Sequence, residues 1–389
     1  MVPGFKLHVN NKENRETELD ALIFHLKGTT YSNCITPAPD TPRSMASFFT
    51  SVYPKDNGCE FRSMWPGYFL NPNFPSMFKI LESNGYKGFA KLTNHSFSRN
   101  ALIPKDAVEA IEFCNSFASI RDAISSQSQE KQYVFIQDMD YHYEIDQRQS
   151  DKSAHLAGCN RISNSISNFL QIVGHDYFDL IFLFSDHGCK FLQDEKSALS
   201  LLDQDRTNTL MFMHRKNDKF LTVDDDLRSI MDIFPTVLNL TRIDMTPTYR
   251  EGHSLLLSWP NRELSIEDHG NFTMSIGDRH RLWGYRSELY QYMESISGEH
   301  SLTNLQGRAL VKSNNQQLSV EVRSYIRSFI RTKSSSFAAF EDESESTQLM
   351  QNLVGPKIFQ DESPVNLRKN LFYLRFFLVK IFYEIKSRF

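Results

Sequence analysis

The residues best suited to catalysis follow a short apolar run, Ile181–Phe184, which is typical of a buried strand. Directly after it come Ser185, Asp186, His187 and Gly188. Ligands of α/β proteins bind outside the carboxyl ends of strands, and a carboxylate beside an imidazole suits zinc, manganese or a related divalent ion. We therefore expect Asp186 and His187 to bind a metal, while Gly188 lets the backbone turn away. The alternative is a polar strand end with a capping Asp and an incidental His.

An alternation of helices and strands must position these residues. It favours an α/β fold, a three-layer sandwich in which helices cover both faces of a mostly parallel sheet. Apolar runs predict strands at residues 86–90, 133–136, 179–184 and 209–213. Helical periodicity predicts helices at residues 17–27, 44–52, 75–84, 106–125, 154–173 and 225–240.

Composition divides the chain into four segments. Residues 1–260 carry the α/β pattern and form the predicted catalytic domain, and shorter strand-like pieces predict a smaller C-terminal subdomain at 261–333. Residues 334–365 are acidic and indicate a linker. Residues 366–389 interleave basic and aromatic side chains, which predicts a C-terminal amphipathic helix. This helix either contacts a membrane surface or packs on the body of the protein.

The bulk composition excludes several classes of protein. The net charge of −4 lacks the basic excess of a nucleic-acid binder. The five cysteines are odd in number and show no C-x-x-C pair, so we expect neither a disulfide framework nor a structural zinc site. The N-terminus is polar and no apolar run is long enough to span a bilayer. We therefore expect a cytoplasmic protein, peripheral at the membrane if its C-terminal helix binds there.

Four segments in register resemble the alkaline-phosphatase/sulfatase superfamily, which includes sulfatases, phosphodiesterases and phosphotransferases. Besides Ser185–Gly188, they are Thr41–Pro54, Ser229–Thr236 and Gly252–Leu255. The resemblance implies the α/β sandwich of that superfamily and dependence on a divalent metal ion, with zinc, manganese and calcium as candidates.

The resemblance also implies a nucleophile. In the family this group lies nine residues before the Thr of a T-G-x-Y-P segment, which places it at Thr41, with Ser51 in place of the Gly. A metal on Asp186, His187 and Thr41 would lower the pKa of the hydroxyl, and Arg43 would bind the anionic ester at the helix N-terminus. From the residues alone, Thr41 could equally be a helix N-cap, with Arg43 exposed.

Further candidates line the expected substrate pocket. His142 follows the predicted strand at 133–136, where the family places a His that binds substrate or a second metal, and Asp140 is a weaker candidate beside it. The alternative is a solvated acidic loop. Arg62 and Trp65 follow the nucleophile helix and are predicted to contact substrate, although Trp65 also suits the core.

These residues favour phosphoryl chemistry. Sulfatases of this superfamily make a formylglycine from Cys or Ser, and Thr41 cannot be converted to it. We expect a hydrolase or transferase of phosphate-type esters whose substrate is a small molecule, a glycan or a lipid-linked ester. One alternative is a sulfuric ester hydrolase. Another is a non-catalytic binding or scaffold protein, because the family's first strand, with its acidic metal ligand, has no counterpart before Asp20 and the chain is expected to be N-terminally incomplete or short of that ligand.

Overall fold

Helices and strands alternate through most of the chain, as the pattern predicts. The structure, a computed structural model, describes residues 17–59, 70–93, 102–108, 111–127, 131–147, 152–188, 198–244, 250–268, 282–295, 299–305 and 324–329. The α-helices are α1 Glu18–Leu26, α2 Thr41–Thr50, α3 Met77–Ser83, α4 Lys105–Val108, α5 Phe117–Ser126, α6 Asp140–Gln147, α7 Lys152–Val173, α8 Gln204–Thr207 and α9 Ile233–Thr241.

Strands form two larger and two smaller sheets. The strands are β1 Gly28–Tyr31, β2 Cys34–Ile35, β3 Tyr86–Lys91, β4 Ile111–Phe113, β5 Lys131–Ile136, β6 Leu180–Phe184, β7 Met211–Arg215, β8 Leu221–Asp224, β9 Arg228–Ser229, β10 Leu264–Asp268, β11 Leu282–Arg286, β12 Tyr290–Ser295 and β13 His300–Asn304. Their orders are β6-β7-β1-β8, β4-β3-β5, β2-β9 and β10-β11-β12-β13.

Aromatic packing joins the first two of these sheets into one sandwich. On one face, Phe48 of α2 stacks on Phe184 of β6 with ring centroids 4.6 Å apart, and lies 6.3 Å from Phe135 of β5. On the other face, Phe169 of α7 packs in one cluster with side chains of both β5 and β6. Helices therefore cover both faces of the strands, which confirms the predicted three-layer arrangement.

Strand direction differs in part from the prediction. The pairs β1–β8, β2–β9, β3–β4 and β3–β5 are parallel, whereas β7 runs antiparallel to both β6 and β1. A parallel neighbour needs a crossover connection, usually a long helix. The described part of the connection from β6 to β7 contains a 3₁₀ turn and the single-turn helix α8, which suits an antiparallel return.

Two predicted helices begin at different residues. Helix α2 starts at Thr41, three residues before the predicted start, because Asp40 caps it. The predicted helix at 225–240 was wrong in its first half, since β9 and a 3₁₀ turn come first and α9 begins at Ile233. Pro235 then lies in the first turn of α9, where its missing N–H costs no intrahelical hydrogen bond.

The C-terminal part contributes an antiparallel sheet of four strands, β10 to β13, followed by a short helix at 324–329. Within the described residues, no helix is long and apolar enough to cross a membrane. The predicted linker at 334–365 and the predicted amphipathic helix at 366–389 lie outside the described residues, so both stay predictions.

Candidate active site

Strand β6 carries the Asp186–His187 pair to the edge of the sandwich. Ser185 fixes the end of the strand, because its N–H donates to the carbonyl of Leu210 and its hydroxyl accepts from the Leu210 N–H at 2.9 Å. Asp186 is completely buried. A Cβ on Gly188 would lie 2.2 Å from the backbone oxygen of Asp205, so this close turn requires glycine.

Helix α2 carries Thr41 to the same place. The carboxylate of Asp40 accepts from the backbone N–H of Arg43 at 3.3 Å, which makes Asp40 the N-cap and Thr41 the first helical residue. The alternative in which Thr41 caps the helix is therefore wrong. One turn later, the hydroxyl of Ser44 donates to the backbone carbonyl of Asp186. This bond ties the start of α2 to the end of β6.

The hydroxyl of Thr41 meets the imidazole of His187. Thr41 Oγ1 lies 3.3 Å from His187 Nε2, although the two residues are 146 positions apart. His187 Nδ1 lies 2.7 Å from the carbonyl oxygen of Gly188. A carbonyl oxygen can only accept, so Nδ1 carries a proton, and in the neutral ring the lone pair of Nε2 faces Thr41. The predicted nucleophile thus donates its hydroxyl hydrogen to an oriented imidazole.

Arg43 is buried rather than exposed. Its Nε donates to Asp40 Oδ2 at 2.6 Å and its Nη2 donates to Asp268 Oδ1 at 2.7 Å, and the side chain is 1% exposed. Burial alone lowers the pKa of Arg43, but the charges of Asp40 and Asp268 outweigh it and the pKa is raised. Arg43 therefore lies beside Thr41, with its guanidinium engaged by carboxylates of the protein.

Asp140 and His142 lie on helix α6, which follows β5. Burial, and then the charge of Asp138, raises the pKa of Asp140. The backbone N–H of Asp140 donates to Asp138 at 2.9 Å. Asp140 and His142 therefore lie in the first turn of a helix, and the alternative of an acidic loop is wrong for them. Neither residue takes part in the hydrogen bonds that join Thr41 to His187 and Ser44 to Asp186. Arg62 and Trp65 lie outside the described residues.

Three residues of this region had no role in the sequence-based prediction: Asp40, Ser44 and Asp268. Two of them had a local signal, because Asp40 directly precedes Thr41 and can cap a helix there, and Ser44 lies one helical turn after Thr41. Asp268 lies 225 positions from Arg43 and had no such signal.

Solved structures share this arrangement of elements. No family model and no curated protein matches the chain. A 2-O GAG sulfatase is 12% identical with a TM-score of 0.64, over 87% of this chain and 92% of that one. A phosphonate monoester hydrolase from Silicibacter pomeroyi is 12% identical with a TM-score of 0.62, over 86% and 94%. A lipoteichoic acid synthase from Listeria monocytogenes is 17% identical with a TM-score of 0.57, over 86% and 90%.

The chain has the alkaline-phosphatase/sulfatase fold. This confirms the fold expected from the four motifs. At 12 to 17% identity the likeness shows the fold alone, so the activity has to be argued from the residues of the site.

The two remaining motifs are bonded to each other, and we call them the scaffold motifs. Asp232 binds the guanidinium of Arg262, with 2.7 Å between Arg262 Nη2 and Asp232 Oδ1, and accepts the backbone N–H of His253 at 2.8 Å. The hydroxyl of Thr236 accepts the N–H of Leu255, also at 2.8 Å. The motifs at 229–236 and 252–255 therefore bind each other.

The residues at the site supply part of the donor set for a divalent metal ion. Among the described residues, no three His, Cys, Asp or Glu side chains come together as a metal site. The donors that do converge are the hydroxyl of Thr41, Nε2 of His187 and the carboxylate of Asp186, whose Oδ2 lies 3.8 Å from that Nε2. Oxygen and imidazole donors of this kind, with the ring tautomer fixed by Gly188, fit zinc or manganese.

Proposed function

We propose that the protein is a metal-dependent hydrolase or transferase of phosphate-type esters, with Thr41 as its nucleophile. The observation that carries the proposal is the 3.3 Å approach of Thr41 Oγ1 to His187 Nε2. The supporting evidence is the fold, which is shared with a phosphonate monoester hydrolase and a lipoteichoic acid synthase, and the buried carboxylate of Asp186 beside the pair.

The residues of the chain orient the attack. Without a metal ion, His187 is held by the Gly188 carbonyl and accepts the hydrogen of the Thr41 hydroxyl, so a lone pair of Oγ1 can face the phosphorus of the ester. The Oγ1–P bond would form as the P–O bond to the leaving alcohol breaks. Thr41 is the first residue of α2, so the partial positive charge of the helix N-terminus favours an anionic group there. A divalent ion held by Asp186 and by Nε2 of His187 would take the lone pair that accepts the Thr41 hydrogen in its absence, and would itself lower the pKa of the hydroxyl and neutralise negative charge on the ester.

Phosphate esters are favoured over sulfate esters by the identity of residue 41. In the superfamily that the sequence resembles, sulfatases use a formylglycine made from Cys or Ser. Thr41 cannot be converted to formylglycine. A glycan or lipid substrate is consistent with neighbours such as the 2-O GAG sulfatase and the lipoteichoic acid synthase. The sulfatase and scaffold alternatives are outcomes of the experiment that follows.

Turnover of bis(p-nitrophenyl) phosphate and p-nitrophenyl sulfate, each with zinc, manganese or calcium, tests the proposal. We expect the phosphodiester to be cleaved, Thr41→Ser to retain part of the rate, and Thr41→Ala to lose at least about 10³-fold while its unfolding transition is kept. Thr222→Ala is the control, because Thr222 is a strand hydroxyl bonded to Thr29 at 3.0 Å. Turnover of the sulfate ester alone would support the sulfatase, and turnover of neither ester would support the scaffold protein. Unchanged rates in Thr41→Ala would exclude Thr41 as the nucleophile.

Association with lipid is a separate part of the proposal. Residues 366–389 interleave basic and aromatic side chains, which favours contact with an anionic membrane surface by a cytoplasmic protein. Cosedimentation with vesicles that contain an anionic lipid, using the full chain and a chain that ends at residue 365, tests this contact. Equal sedimentation of the two chains would contradict it.

A further inference from the structure

A buried ion-pair network joins β10 to the first turn of α2. Arg43 lies between two carboxylates, donating from Nε to Asp40 at 2.6 Å and from Nη2 to Asp268 at 2.7 Å. The side chains of Asp40 and Asp268 are 8% and 9% exposed. Asp40 also caps α2, because its carboxylate accepts the backbone N–H of Arg43. The guanidinium therefore holds the capping carboxylate in place, and Asp268 holds the guanidinium.

Strand β10 is bonded to the chain around the nucleophile at two further points. The backbone N–H of Glu267 donates to the carbonyl of Pro37 at 2.9 Å, before α2 begins. The backbone N–H of Ser265 donates to the hydroxyl of Tyr53 at 3.0 Å, after α2 has ended. The strand therefore supports the segment from Pro37 to Tyr53 before, within and after the helix that carries Thr41.

We infer that Asp268 is a positioning residue for Thr41 and that it acts through Arg43. This inference rests on the proposed role of Thr41 as the nucleophile. Thr41 lies between Asp40 and Arg43 in the sequence, so the orientation of its hydroxyl depends on where these two neighbours are held. A displacement of about 1 Å at a reacting group can cost about 10²-fold in rate.

The charges of the network make the inference testable in a folded protein. In the described contacts of Arg43, one guanidinium meets two carboxylates. Loss of Asp268 leaves Arg43 paired with Asp40. The guanidinium is therefore not left as an unpaired buried charge, which would be the costly result of breaking an ion pair. What is lost is the second anchor of the guanidinium, and with it the tie between β10 and the helix cap.

Steady-state kinetics with bis(p-nitrophenyl) phosphate separate positioning from stability. We expect Asp268→Ala to lower kcat about 10- to 100-fold with KM changed by less than about two-fold. Asp268→Asn should recover most of kcat, because its amide oxygen still accepts from Arg43. The matched control is Glu294→Ala, which removes another largely buried carboxylate of the same sheet, bonded to Arg327 at 2.7 Å. If Asp268→Ala retains wild-type kcat, or if both alanine variants lower it equally, the inference is wrong.

Hydrogen exchange tests the same tie without turnover. Asp268→Ala should speed amide exchange in the peptide over residues 36–46, and Glu294→Ala should not. If the wild type cleaves no ester but this difference is found, the proposed function fails and the contact from Asp268 to the helix cap stands. Unchanged exchange in Asp268→Ala would overturn the inference even in an active enzyme.

Discussion

The hydroxyl of Ser44 donates a hydrogen bond to the backbone carbonyl of Asp186, which joins two motif segments 142 positions apart. The same hydroxyl accepts from the hydroxyl of Thr36 at 2.9 Å. Ser44 lies one turn after Thr41, and Asp186 directly precedes His187. One buried side chain thus sets the distance between the helix that carries the nucleophile and the strand end that carries the imidazole.

Replacement of Ser44 by Ala should lower both stability and activity. The change leaves the Asp186 carbonyl buried without this donor, which costs about 1–3 kcal/mol. Urea unfolding measures this loss, and kcat on a phosphodiester should fall while KM is kept. Ser126→Ala is the control, because its hydroxyl makes an exposed bond to the Ala123 carbonyl. A Ser44→Ala protein as stable and active as the wild type would show that the bond is dispensable.

A side chain at Gly188 should disturb the site directly. A Cβ there would lie 2.2 Å from the Asp205 oxygen and 2.8 Å from the Asn208 oxygen, and both are backbone atoms that cannot rotate away. We expect Gly188→Ala to cost more than about 2 kcal/mol and to reduce activity strongly. Gly85→Ala is the comparison, since its φ of 82° is unfavourable but its Cβ meets nothing, so it should cost only about 1 kcal/mol. Equal losses in urea unfolding would contradict the predicted clash.

The parts of the candidate site that the sequence predicts are those carried by local motifs. Thr41, Asp186 and His187 were predicted from chain segments, and the structure brings Thr41 and His187 together. The exposed alternative for Arg43 was wrong, because exposure depends on what packs over a side chain. Asp268 is bonded to Arg43 from a strand of another sheet, and no pattern near either residue could indicate that pairing.

The same distinction holds for the fold. Periodicity identified α1, α3 and α7 to within about two residues, since an amphipathic pattern is a property of the segment itself. The antiparallel direction of β7 was missed, because its apolar run would suit either direction in a buried sheet. Pairing direction is set by the connection, and the sequence from β6 to β7 shows no helical pattern that would have decided it.

Asp140 should make the stability depend on pH. Its pKa is raised above the ordinary value, first by burial and then by the charge of Asp138. As the pH rises, the unfolded chain therefore releases this proton before the folded protein does. The free energy of unfolding falls between the ordinary aspartate pKa of about 3.9 and the raised pKa of Asp140. Above the raised pKa the loss of stability stays constant. Asp140→Asn should be more stable than the wild type near about pH 7, and the gain should vanish below about pH 3.9.

Urea midpoints of Asp140→Asn and the wild type across this range provide the measurement. Asp122→Asn serves as the control, because Asp122 is exposed and pairs with Arg121 at the surface, where substitutions change stability by less than about 0.5 kcal/mol. A gain for Asp140→Asn that persists unchanged in acid would show that ionisation of Asp140 is not its cause.

Ser51 stands where the resemblance places a glycine, and the structure explains both residue types. It ends α2 in the left-handed conformation at a φ of 58°, which glycine adopts without strain. Its hydroxyl donates to the Met231 carbonyl at 3.0 Å and accepts from the Gly252 N–H at 3.1 Å. Serine is strained in this conformation, but its two hydrogen bonds join α2 to the two scaffold motifs and offset the strain.

Two substitutions at Ser51 should separate the strain from the bonds. Ser51→Ala loses both hydrogen bonds and keeps the left-handed backbone, so it should lose about 1–3 kcal/mol. Ser51→Gly also loses the bonds but relieves the strain, which is worth about 1 kcal/mol, so it should be the more stable of the two. Urea unfolding of the pair gives the difference directly. If the two variants are equally stable, the left-handed conformation of residue 51 does not lower the stability. The two hydrogen bonds of the hydroxyl would then be the only reason to favour serine at this position.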